Sequence, residues 1–180
     1  MVGALRKHNR RPGAVELRSD VAGVAEVAAG ALLERCKLPA GTSATAIAHH
    51  LGFRLEHTQK LPGSARASCI KGEPGTFELC GIIWLVAGQD RRDDEASIAH
   101  ELGHTYGAED HDGGWPQIEA ACERFAEALL MPRAEFIASA ESCRWSVDAL
   151  SRKWRHAPRA AIEQRIRDVG GRAAHESEAA

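Results

Sequence analysis

The sequence of 180 residues predicts a single α+β domain, in which a small mixed β-sheet lies between N-terminal and C-terminal helices. Apolar residues recur at the helical period of 3.6 before residue 52 and after residue 95, but form short, strand-like runs between residues 53 and 86. The length suffices for one domain with a hydrophobic core and is short for two. The longest apolar run covers residues 82–87, well below the roughly 20 residues that a membrane span requires, so we predict no membrane segment.

The N-terminal quarter predicts a loose tail and two helices. Residues 1–18 lack apolar periodicity and should bury too little surface to compensate for the entropy lost on ordering, so we predict a disordered basic tail. A short helix is predicted to begin at Thr42 or Ser43 and to end at Gly52. Ser19 is a suitable cap for the preceding helix, whose core-facing residues we predict to be Val21, Val24, Val27, Ala28, Ala31 and Leu32.

The middle of the chain predicts the sheet and two longer helices. A helix is predicted at residues 96–106, because the acidic residues 93–95 favour its positively polarised N-terminus. Trp115-Pro116 should open the next helix, which Pro132 should end. Pro-Gly pairs separate the short apolar segments before these helices, and we predict strands at residues 53–57, 67–70, 76–80 and 82–86.

The motif that carries chemistry is HELGH at residues 100–104, on the helix predicted at 96–106. Two histidines four residues apart share one face of a helix, so His100 and His104 can bind a single Zn²⁺. Glu101 then lies beside the metal, where it can accept a proton from a water molecule activated by zinc. Such a helix directly after a sheet strand is typical of zincin-like peptidases, and it predicts peptide-bond hydrolysis with Glu101 as the catalytic base.

A catalytic zinc needs a third protein ligand, and the residues offer two candidates. Glu119 and Glu123 lie one turn apart on the helix after Trp115, where they border its apolar stripe. Asp110 instead fits the spacing HExxHxxGxxD, with Gly107 turning the chain back. A single glutamate on a helix is more often a solvated charge than a ligand, so these spacings leave both candidates open.

The segment Ile118 to Pro132, IEAACERFAEALLMP, closely resembles the segment that follows HELGH in the ImmA/IrrE-type zinc metallopeptidases. The resemblance covers about residues 20–168. It implies a gluzincin-like site in which Glu119 completes the zinc site, and we prefer Glu119 to Asp110 for this reason. Position 123 is commonly Asn or Asp in the family and is Glu here, although a carboxylate can still hold a ligand histidine by a hydrogen bond.

The resemblance also implies a function. It implies a zinc-dependent endopeptidase acting on an intracellular protein, most often a helix-turn-helix transcriptional repressor.

We predict a cytoplasmic protein, since residues 1–20 contain no secretory signal and the five cysteines contain no CxxC pair. Tyr106 and His111 are close enough to the motif to stabilise an oxyanion, a role that the sequence does not distinguish from packing. The predicted division is a tail (1–18), a zincin-like domain (19–140), a helical pair packed on it (141–169) and a flexible tail (170–180).

The helical pair, predicted at residues 146–154 and 158–169, is basic. The net charge of the chain is −2, but residues 144–167 contain seven Lys or Arg against two acidic residues, and residues 90–127 contain 11 acidic residues against three arginines. The pair has the length of a helix-turn-helix, and six cations could contact phosphates: Arg152, Lys153, Arg155, Arg159, Arg165 and Arg167.

We favour a packed appendage with solvated arginines, which would give at most weak, non-specific DNA contact. Two alternatives to an enzyme stay open. One is a DNA-binding regulator with a structural zinc, and the other is an inactive zincin-fold module for protein interaction. The apolar residues expected to pack the pair on the core are Val147, Leu150, Trp154, Ile162 and Ile166.

Overall fold

A computed structural model describes residues 14–61, 67–71, 81–106 and 114–178, with side chains at 23–61, 81–106 and 114–170. Within these ranges the chain has a mixed α+β architecture, as predicted. None of the helices described there is both long and apolar enough to cross a membrane. The elements are α1 (Ala14–Cys36), α2 (Ala44–His50), β1 (Phe53–Thr58), β2 (Ala67–Lys71), β3 (Gly81–Val86), α3 (Arg91–Tyr106), α4 (Trp115–Leu130), α5 (Arg133–Ser142), α6 (Val147–Lys153) and α7 (Arg159–Glu178).

The sheet has the order β1-β3-β2, with β1 parallel and β2 antiparallel to the central strand β3. In the register of the sheet, Ile83 is paired with Leu55 on one side and with Cys69 on the other. Ile83 and Leu85 are buried, because alternate residues of a strand point to the same face. A short turn then leads from β3 into α3, so the sheet fixes where the HELGH helix begins. The strand predicted at residues 76–80 lies outside the described residues.

Helix α3 begins earlier than the prediction at residue 96. The Asp90 side chain accepts a hydrogen bond from the Arg92 N–H at 2.9 Å, which satisfies a free donor at the helix start. Glu95 is 2% exposed and accepts hydrogen bonds from both the N–H and the hydroxyl of Thr45 on α2. These contacts anchor the N-terminal half of α3 against α2 and leave its C-terminal half to face α4.

Helix α1 packs against α4 with a face that matches the predicted one only in part: Leu32 is buried and Ala28 packs against the core, whereas Ala31 is exposed. Val24 and Val27 are 49% and 72% exposed, so their assignment to the core is wrong. The small side chains on the buried face let two helices approach closely, and this shape requirement outweighs the greater hydrophobicity of valine. The helix also begins at Ala14 rather than at Ser19, so residues 14–18 are helical rather than part of a tail. The buried face consists of Ala25, Ala29, Leu32, Leu33 and Cys36.

Helix α5 was not predicted, because Pro132 was interpreted only as the end of α4. Pro132 also occupies the N-cap of α5, and its carbonyl accepts a hydrogen bond from the Phe136 N–H at 2.9 Å. Proline suits a helix start because the N–H that it lacks would have no partner within the helix. Phe136 and Ala140 are fully buried, so α5 contributes to the core.

The C-terminal helices bury Leu150, Trp154 and Ile162, while Val147 and Ile166 pack against the core at its edge. Helix α7 continues to Glu178, beyond the predicted end at residue 169.

Six cations in this region were predicted to be available to phosphates, and the structure contradicts this prediction for one of them. Arg165 is 3% exposed, donates hydrogen bonds to Glu26 and to the Met131 carbonyl, and is therefore part of the core rather than of a DNA-facing surface.

Candidate metal centre

Helix α3 brings the two histidines of the HELGH motif together. His100 and His104 are four residues apart, so they lie on one face of the helix, and their ring centroids are 4.9 Å apart in an edge-to-face arrangement. Their side chains are 24% and 22% exposed. Both rings can therefore be reached from solvent while the opposite face of α3 is packed in the core.

Gly103 determines how close α4 comes to these histidines. A Cβ atom at Gly103 would lie 3.0 Å from the Cα and 3.1 Å from the Cβ of Cys122 on α4, closer than ordinary van der Waals contact. Only glycine allows this crossing distance. Glu119 is one turn before Cys122 on α4, so the close crossing brings its carboxylate to the histidine rings.

The Glu119 carboxylate bridges the two histidines. One of its oxygens, Oε2, is 3.2 Å from Nε2 of His100, and the other, Oε1, is 3.3 Å from Nε2 of His104. One ligand atom from each of the three side chains can be chosen so that all lie within 4.8 Å of one another. Within the described ranges, this is the one group of three or more His, Cys, Asp or Glu side chains that could hold a metal ion.

Glu101 and Cys122 lie on the inner side of this group. Glu101 is 8% exposed, and Cys122 is fully buried at the crossing of α3 and α4. The pKa of the Cys122 thiol is raised to about 12, chiefly by burial. Negative charge on Glu119, Glu101 and Glu123 contributes to the same increase. At neutral pH Cys122 is therefore a neutral thiol rather than the thiolate that a cysteine nucleophile requires.

Trp115 forms the outer edge of the centre. Its indole stacks on the His104 ring with a centroid distance of 5.8 Å and an interplanar angle of 15°. The residue is 68% exposed. Sequence reasoning assigned Trp115 only a role in starting α4. The i, i+4 spacing between Trp115 and Glu119 was the signal that could have placed it at the site.

The remaining candidates stand apart from this group or lie outside the described residues. Asp110 and His111 fall within residues 107–113, which are not described, so the choice of Glu119 over Asp110 stays a prediction. Glu123 is exposed one turn beyond Glu119. Tyr106 packs against the core, and the Arg35 guanidinium lies 4.9 Å from the centroid of its ring.

The family model of peptidase M78, described as the IrrE N-terminal-like domain, matches residues 58–167. A comparison with curated proteins finds no match. Among solved structures, the chain is similar to a Mycobacterium tuberculosis transcriptional regulator with a TM-score of 0.57 and 16% identity, over 83% of this chain and 51% of that chain. At this identity the likeness shows the fold alone, and the chain spans about half the length of that structure.

Proposed function

The chain belongs to the peptidase M78 family, and on this premise we propose that it is a zinc-dependent endopeptidase with a zincin-like fold. The observation that carries the proposal is the convergence of His100, His104 and Glu119 at the crossing of α3 and α4. Two histidines from one helix and a glutamate from the next form a gluzincin-like ligand set. We infer that Glu101, beside His100 in the chain, is the catalytic base.

The donor atoms fit zinc in type and in spacing. Zinc binds imidazole nitrogen at 2.0–2.1 Å and carboxylate oxygen at about the same distance, so two ligands of a tetrahedral zinc lie about 3.4 Å apart. The two nitrogen-to-oxygen distances of 3.2 and 3.3 Å are close to this spacing. These distances join different carboxylate oxygens to the two rings, and one ligand atom from each side chain lies within 4.8 Å of the others. His100, His104 and Glu119 could therefore hold the ion after side-chain rotation brings the three ligand atoms closer together.

The number of ligands favours a catalytic over a structural metal. Structural zinc sites are closed by four protein ligands, whereas catalytic sites use three and leave one position for water or substrate. Within the described residues the group contains three side chains, each between a fifth and a third exposed. This supports the enzyme over the regulator with a structural zinc.

When bound, zinc supplies a Lewis acid that polarises the substrate carbonyl and lowers the pKa of water. Glu101 takes a proton from the attacking water as the water oxygen forms a bond to the carbonyl carbon. It then gives this proton to the leaving amine as the C–N bond breaks, so one water molecule is consumed for each peptide bond cleaved. Because Glu101 is largely buried, it is held in one place for both transfers.

We propose that the substrate is an intracellular helix-turn-helix transcriptional repressor and that cleavage occurs in the cytoplasm. The resemblance to ImmA/IrrE-type peptidases supports this, whereas the similar solved structure, named a transcriptional regulator, supports the fold alone at 16% identity. The alternative of a DNA-binding regulator is weakened because two of the arginines predicted to contact phosphates are already engaged within the protein. Arg165 is buried, and Arg159 is ion-paired with Asp148 and Glu163. Exposed cations at the end of α6 leave room for weak, non-specific DNA contact.

Replacement of Glu101 by Gln separates catalysis from metal binding. We expect Glu101→Gln to bind as much zinc as the wild type, because Glu101 is outside the ligand group. Its cleavage rate should fall by about 10²–10⁴-fold or more, the contribution of general acid–base catalysis. The probe is a library of peptides from a digested proteome with blocked amines, in which mass spectrometry detects every new N-terminus. Glu141→Gln, on the exposed face of α5, is the matched control and should cleave normally. Equal cleavage by Glu101→Gln and the wild type would remove Glu101 as the base, and a zinc-loaded wild type without cleavage would favour the interaction module.

A further inference from the structure

A large apolar side chain is exposed beside the candidate metal centre. In the described part of the chain, three large hydrophobic residues are substantially exposed: Val24, Val27 and Trp115. The two valines lie on α1, and Trp115 alone of the three contacts a proposed metal ligand. A single exposed apolar residue is common on protein surfaces, but Trp115 differs because its indole stacks on a proposed metal ligand, where a substrate would bind.

The start of α4 fixes the backbone of Trp115, and stacking on His104 orients its indole. Trp115 is the first residue of α4, Pro116 restricts the backbone there, and the Gln117 N–H donates to the Gly114 carbonyl at 2.9 Å. Trp115 lies one turn before Glu119 and therefore on the same side of α4. One face of the indole covers His104 at an angle of 15°, and the residue remains 68% exposed. The exposed surface is thus available to a second group while the stacked face is occupied.

We propose that Trp115 is the wall of a substrate subsite that takes a large apolar side chain next to the scissile bond. This rests on the proposed function, since it requires the substrate carbonyl to lie at a metal bound by His104. Consecutive residues of a peptide are 3.8 Å apart, so a carbonyl at the metal brings a neighbouring side chain within reach of an indole that stacks on the same ligand. Contact with an aliphatic or aromatic side chain removes apolar surface from water on both partners.

An apolar group is favoured over a cationic one. Cations also bind to indole faces, but a dication held by His104 would repel a second positive charge on the neighbouring indole. Trp115 could instead only orient His104, in which case its loss would weaken zinc binding without changing side-chain preference. The two roles therefore differ in a measurable way.

The test uses three hydroxamates that differ only in the side chain next to the zinc-binding group. That side chain is the one of glycine, leucine or phenylalanine. Binding to the zinc-loaded protein is measured by calorimetry for the wild type, Trp115→Ala, Trp115→Phe and Val27→Ala. We expect the wild type to bind the leucine and phenylalanine compounds at least about tenfold more tightly than the glycine compound. Trp115→Ala should lose most of this preference, Trp115→Phe should keep it, and Val27→Ala, an equally exposed apolar truncation on α1, should match the wild type. Zinc content should be the same in all four.

Three outcomes would overturn the subsite. The first is an unchanged preference in Trp115→Ala. The second is an equal loss of affinity for all three compounds together with lower zinc content, which would make Trp115 a support for His104. The third is tighter binding of a lysine side chain than of phenylalanine in a fourth compound. Failure of the proposed function has a different signature: a wild type that takes up no zinc, or one that binds zinc and discriminates the compounds but cleaves no library peptide.

Discussion

Adding a single methyl group at Gly103 tests whether the close crossing of α3 and α4 holds the candidate metal centre together. In Gly103→Ala the new Cβ would lie 3.0, 3.1 and 3.3 Å from the Cα, Cβ and backbone oxygen of Cys122. Optimal carbon contacts are about 3.5–4.0 Å, so the helices must separate by about 0.5–1 Å. The atoms met are backbone and Cβ atoms, so rotation of a side chain does not relieve the overlap.

The control for this variant is Gly30→Ala. Gly30 is exposed within α1, and a Cβ there would meet nothing within 4 Å. Gly30→Ala should therefore show only the gain in helix propensity, about 0.8–1 kcal/mol. Overpacking costs about 1–3 kcal/mol, so Gly103→Ala should be less stable than Gly30→Ala by about this amount. For a domain of this size the difference corresponds to about 2–12 °C in Tm.

The separation of the helices should also weaken metal binding. Glu119 would move away from His100 and His104 with α4, lengthening separations that are now 3.2 and 3.3 Å. We expect zinc affinity to fall about 10–100-fold, the range seen when groups that orient metal ligands are removed. Thermal unfolding without zinc and competition with a chelator measure the two effects separately. If Gly103→Ala equals Gly30→Ala in both stability and zinc affinity, the crossing does not position the site.

Two further predictions concern the C-terminal helices. Arg165→Met should lower the free energy of unfolding by about 1–3 kcal/mol in urea titrations, because it leaves the Met131 carbonyl and Glu26 without their donor, whereas the exposed Arg152→Met should change it little. If both variants are equally stable, the burial of Arg165 has no energetic importance. Any DNA binding should be weak and should fall steeply as salt rises, because each neutralised phosphate releases counterions. A salt-resistant complex with one defined DNA sequence, measured by fluorescence anisotropy, would favour the regulator.

The elements around the site could be predicted because their signals are local. The four-residue spacing of His100 and His104 requires a helix for both to reach one metal, and α4 carries a clear apolar stripe that ends at Pro132. The Pro-Gly pairs between short apolar segments also located the strands that the structure describes. The resemblance to a family then selected Glu119, which the spacing of the residues alone had left in competition with Asp110.

The errors arose where long-range packing decides. Val24 and Val27 are more hydrophobic than the alanines of α1, yet close approach to α4 selects the alanine face. The burial of Arg165 depends on Glu26, 139 residues earlier, and no local pattern reveals that pair. Trp115 was missed although it lies one turn before Glu119, because its stacking on His104 also depends on the helix crossing at Gly103.

The most direct test of the metal centre is the zinc content of Glu119→Ala and Asp110→Ala, measured by atomic emission after dialysis against a weak chelator. We expect the wild type to retain about one zinc per chain, Asp110→Ala to retain nearly as much, and Glu119→Ala to lose most of it, because zinc binding falls sharply when one of three protein ligands is removed. Retention of zinc by Glu119→Ala together with its loss from Asp110→Ala would show that the third ligand comes from the segment before α4, and would contradict the centre formed by His100, His104 and Glu119.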